Sequence, residues 1–160
     1  METFSRQESV LWCRDHRIVL DNRVLPDLAG AELKFDIPND AQKRVYLAKR
    51  AMEEFSNEPT ILVWFADWSV WPSGQRMHIL SRMRMSYGEV RPLIDAPAQL
   101  FQQAEIEDAT SFVTLALLFL WDCYVISPNQ NKTVFFSHDE YGVARGMEFR
   151  GKIPWLNIRN

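Results

Sequence analysis

The side chains with the most chemical reach stand together at 137–141, Ser-His-Asp-Glu-Tyr, directly after an apolar run of strand type. A histidine beside carboxylates can serve as a general base or bind a metal, because its charge changes near neutral pH. His138, Asp139 and Glu140 are the candidate catalytic residues. In a strand, adjacent residues point to opposite faces, so only His138 with Glu140, or Ser137 with Asp139, would share one. The competing reading is a polar turn that closes the edge of a hairpin.

A second cluster joins Trp64, Trp68 and Trp71 to Phe65 and Asp67. Indoles outside regular structure combine flat apolar area with an N–H donor, the usual equipment of a binding hot spot. Trp68, Trp71 and Asp67 are therefore candidate binding residues and Trp64 is read as core; the competing reading is that at least one of Trp68 and Trp71 caps the core under a loop. Charge supplies a third signal. Residues 73–91 carry Arg76, Arg82, Arg84 and Arg91 against Glu89, whereas residues 92–140 carry seven carboxylates against Lys132 alone. Arginine can grip a carboxylate or phosphate with two parallel hydrogen bonds, which makes Arg82 with His78 a candidate anion site; the bland alternative is a solvated face.

Positioning these groups requires a scaffold, and the pattern predicts α+β: a small mixed sheet with three helices packed on it. The strands are expected near 60–66, 122–127 and 132–138, and the helices near 40–55, 73–87 and 108–121. Thr-Ile-Leu-Val-Trp-Phe-Ala at 60–66 is continuous and apolar, as in an interior strand covered on both faces. Pro38-Asn39-Asp40 marks a helix start, and Ala41, Val45, Ala48, Met52 and Phe55 recur at helical steps. Residues 73–88 alternate as a strand would, but Ser73 after Pro72 and Gly88 at the far end fit helix termini, as does the Met, Leu and Arg content. Asp108 is the expected cap of an almost wholly apolar helix, and Ser127 to Lys132 reads as a turn inside an antiparallel hairpin. One βαβ-like crossover is compatible with this order. Residues 1–37 show only short apolar runs that fit helix or strand equally.

The chain has 160 residues, 47% hydrophobic and 24% charged, which predicts one globular domain over 1–160. A net charge of −3 argues against a phosphate-backbone partner, so no nucleic acid is expected. Cys13 and Cys123 have neither disulfide-framework nor zinc spacing and read as free thiols; no metal or cofactor is expected. Residues 1–10 carry three charges and no apolar leader core, and the longest apolar run, 112–121, is about half of the ~20 residues a membrane span needs. The expectation is a soluble, cytoplasmic protein.

No GxSxG, HExxH, P-loop or dinucleotide glycine pattern is present. The leading functional expectation is accordingly a protein-binding module, of inhibitor, immunity or adaptor type, acting through the Trp68 and Trp71 surface on a protein partner. The alternative is a hydrolase or anion-binding enzyme using His138 with nearby carboxylates, and a third is a small ligand in an aromatic pocket.

Overall fold

The structure, a computed structural model, describes residues 1–68, 77–128, 132–149 and 153–159. Its centre is one eight-stranded sheet: β1 (Glu2–Phe4), β2 (Leu33–Asp36), β3 (Thr60–Asp67), β4 (Ala98–Gln102), β5 (Asp122–Ile126), β6 (Thr133–Phe136), β7 (Tyr141–Arg145) and β8 (Ile158–Arg159). The spatial order is β1-β4-β3-β5-β6-β7-β2-β8, and every adjacent pair is antiparallel. Four helices accompany it: α1 (Arg6–Asp15), α2 (Ala41–Glu53), α3 (Met77–Ser86) and α4 (Ile106–Phe119). The class is α+β as expected, but the sheet is neither small nor mixed, and the described residues hold four helices rather than three, the additional one in the segment the sequence left unread.

β3 sits between β4 and β5 and is covered on both faces, as its unbroken apolar run requires. Its odd residues, Ile61, Val63 and Phe65, join Phe101, Cys123, Val125 and Phe136 under α2 and α4. The even residues Leu62 and Trp64 join Leu100, Tyr124 and Ile126 under Cys13 of α1 and the apolar side chains of 18–28. Both cysteines are buried free thiols. β4 and β5, each antiparallel to β3, run parallel to one another and are linked by α4, so the crossover is present with a strand inserted in it. Among the described residues, no helix is long and apolar enough to cross a membrane.

Local chemistry explains the helix ends. The Asp40 side chain accepts the Lys43 N–H at 2.8 Å and starts α2 as expected. Its inward stripe, however, is Arg44, Leu47, Ala48, Ala51 and Met52, while Ala41 and Val45 are exposed. The stripe is turned because Arg44 folds its guanidinium back onto the Pro38 carbonyl, at 2.6 Å, and onto Glu140, at 3.1 Å. α1 is opened by a capping box, with Ser5 and Glu8 satisfying each other's main-chain N–H. Residues 77–86 are helical, and Gly88, at φ 86°, turns the chain out of α3; the expected Ser73 cap lies outside the described residues. α4 starts at Ile106 after a 3-10 turn, two residues before the expected Asp108 cap, because β4 runs directly into it.

Arg84 of α3, on the border of the apolar arc, is fully buried. Its guanidinium donates to the carbonyls of Arg91 at 3.0 Å and Ala96 at 2.8 Å, fastening the proline-containing connection before β4. Burial among these neighbours holds its pKa below the usual arginine value.

Candidate functional site

Three strands end at the same edge of the sheet and bring together Asp67 from β3, Asp122 from β5 and His138 just beyond β6. Two backbone features aim these groups. Leu120 adopts a left-handed conformation, φ 53°, which ends α4 abruptly, buries Trp121 and makes Asp122 the first residue of β5. In β3, Phe65 pairs with Cys123, but the next pairing is Asp67 with Asp122, so Ala66 is an extra residue. This bulge changes the parity of the strand and sets two carboxylates directly opposite each other on one face.

Like charges so placed repel, and His138 stands beside them as a group that carries the counter-charge when protonated. One oxygen of Asp122, Oδ1, accepts the His138 main-chain N–H at 2.7 Å and its ring Nδ1–H at 2.8 Å. An ionised carboxylate only accepts, so Nδ1 carries the proton and the lone pair of the neutral ring lies on Nε2. Nε2 faces the Asp139 carboxylate at 3.5 Å, beyond firm hydrogen-bond range. The His138 side chain is 26% exposed and that of Asp122 16%, so the pair is sheltered yet open to solvent. Burial acts to lower the His138 pKa, but the hydrogen bond to Asp122 and the charges of Asp122, Asp139 and Asp67 together outweigh it and raise the value.

One ligand atom each from Asp67, Asp122 and His138 lies within 4.8 Å of the others, a set able to hold a divalent cation. Spacing in the sequence could not have announced the set, since its members come from three separate strands.

The structure redraws the expected partnerships. His138 does not pair with Glu140: residues 137–140 form the turn of the β6–β7 hairpin, and Glu140, at φ 62°, points its carboxylate to Arg44. Alternation therefore does not apply there, and the polar-turn reading describes the backbone correctly. Asp139 stays close to the ring but is 71% exposed. Asp122, which sequence reasoning passed over, is the partner that matters; the strand end opposite the Ser-His-Asp turn was the available signal. His78 and Arg82 stand exposed on α3, outside the Asp67, Asp122 and His138 cluster. Trp68 is half-buried, packs on the core and lines a shallow notch with Arg6, Leu25 and Ile94; Trp71 lies outside the described residues.

No protein-family model, no curated protein and no solved structure matches the chain.

Proposed function

We propose that the chain is a hydrolase-type enzyme in which His138 is the general base and Asp122 its orienting partner. The observation that supports this reading is the double acceptance by Asp122 Oδ1, which fixes both the tautomer and the direction of the ring. In this scheme Nε2 takes a proton from a water as the water attacks an ester or phosphoester. The imidazolium that forms is balanced by Asp122 and Asp67, and the proton then passes to the leaving oxygen. A positioned base of this kind contributes about 10²- to 10⁴-fold in rate.

The test is hydrolysis of p-nitrophenyl acetate and p-nitrophenyl phosphate by the full chain and by His138→Asn, with EDTA present, from about pH 5 to 9. The parent rate should rise with pH through one ionisation, and that ionisation should vanish in the variant. Equal rates for the two proteins at every pH would sink the reading, and loss of the parent's activity to EDTA would assign the cluster to a metal instead.

The protein-binding reading keeps one specific support: Ile94, 74% exposed, stands beside Trp68 in the notch, an apolar pair open to a partner. Under that reading Trp68→Ala leaves folding intact and abolishes capture of the partner, while His138→Asn has no effect on it.

A further inference from the structure

On the sheet face opposite α2 and α4, strands β5, β6, β7 and β2 form the floor of a cleft of about 450 Å³ walled by the 21–29 segment. That is the size of a small-molecule site. Tyr124 and Phe135, a cross-strand pair, lie with ring centroids 4.5 Å apart, and Tyr141 meets Phe135 edge-on at 6.2 Å. Tyr124 and Phe135 thus stack on each other with Tyr141 set across them, and the floor is aromatic. Tyr124 is buried but for 4% of its surface and lines the cleft, so its hydroxyl is a hydrogen-bonding group available to a molecule that enters there. Burial pushes its pKa up to about 12, so near neutral pH the hydroxyl is a donor.

The polar rim is unbalanced in the same sense. Asp21 has both oxygens engaged by Arg23 and the Leu25 N–H, and Asp27 Oδ1 accepts the Ala29 N–H at 2.8 Å. The basic groups are less committed: Arg23 uses its Nε on Asp21, Arg159 uses its Nε on Asp36, and Lys34 has no ion pair among the described residues. The groups left over are the outer guanidinium nitrogens, the Lys34 ammonium and the Tyr124 hydroxyl, against a single carboxylate oxygen of Asp27. Donors in excess call for a ligand that brings acceptors. Arg23, its side chain 71% exposed, is carried by a turn in which Val24, a β-branched residue, has φ 62°.

We propose that this cleft binds a small flat organic anion, its ring against Tyr124, Phe135 and Tyr141 and its carboxylate or phosphate oxygens on Tyr124, Lys34 and the two arginines. The site stands apart from His138 and does not rest on the hydrolase reading. It is tested by calorimetry and thermal shift on the full chain with benzoate, adenosine 5′-monophosphate, adenosine and inorganic phosphate. Benzoate or the nucleotide should bind saturably and raise the melting temperature, and whichever binds more tightly identifies the acid group. Tyr124→Phe, which keeps the ring, should weaken that binding about tenfold. Lys34→Ala, at an exposed position that does not endanger folding, should weaken it by a similar factor. The proposal is overturned if neither anion saturates below about 10 mM, if adenosine or inorganic phosphate binds as well as the better anion, or if Lys34→Ala leaves affinity unchanged.

Discussion

The ring of His138 and its own main-chain N–H converge on the same oxygen of Asp122, at 2.8 Å and 2.7 Å. The carboxylate at the head of β5 thereby fixes both the position of the β6–β7 turn and the direction of the imidazole. The orientation belongs to the backbone as much as to the side chain.

Asp122→Asn should therefore lower kcat by about 10²- to 10⁴-fold on any ester the parent hydrolyses, because an amide no longer enforces the Nδ1–H tautomer. Asp139→Asn should change kcat little, since that carboxylate is mostly exposed and 3.5 Å from Nε2. Steady-state kinetics on the two variants decides the point; equal losses would make Asp139 the partner.

His138 also predicts the direction of a pH effect on stability. Its folded pKa lies above the ordinary 6.5. The charged ring therefore stabilises the fold fully below about pH 6.5, and this contribution disappears as pH rises through the folded value. Urea midpoints measured from about pH 5 to 9 should fall with rising pH more steeply in the parent than in His138→Gln. Parallel curves would show that the ring has the same pKa folded and unfolded.

Arg84→Ala should destabilise the protein by about 3 kcal/mol, through two lost charge-assisted hydrogen bonds and the space left by the side chain. Arg84→Lys should recover only part, because an ammonium cannot reach both carbonyls with the fork of a guanidinium. Chemical denaturation with an unchanged slope would report the difference. A loss under about 0.5 kcal/mol would mean that the 91–96 connection is held by other contacts.

Gly142 faces the fully buried Phe35 across β2 and β7, and a Cβ built on it would lie 2.1 Å from the Phe35 ring. Phe149 and Phe136, with ring centroids 5.4 Å and 6.2 Å away, leave that ring little room to retreat. Gly142→Ala should cost about 1–3 kcal/mol or more, and adding Phe35→Leu should restore part of it. Strict additivity of the two substitutions would refute the clash.

What the sequence displayed and what it concealed divide along physical lines. β3 was legible because burial on both faces leaves an unbroken apolar run, α4 because it is rich in apolar residues although it buries only the stripe Ala109, Phe112, Val113, Ala116 and Leu117, and α2 because Asp40 caps it. β2, with Lys34 between Leu33 and Phe35, is too short for periodicity to register, β1 and β8 are shorter still, and β7 has only five residues. α1 hid because it buries only Ser9 and Cys13; its signature was the Ser5 to Glu8 capping box. His138 and Asp67 were legible as reactive types in exposed-looking turns. Their convergence on Asp122 was not, since it depends on strand order. The cleft was concealed for the same reason: Arg23, Lys34, Tyr124 and Arg159 are strangers in sequence.

The extra residue at Ala66 makes the Asp67–Asp122 pairing sensitive to the length of the chain at one point. Deleting that codon would leave the aspartate as the next residue to pair with Asp122, but Trp68 would be drawn one step back along the strand. Insertions and deletions in this stretch should therefore be felt by the indole before they are felt by the carboxylates, coupling the shape of the notch to the electrostatics of the dyad in any descendant of this sequence.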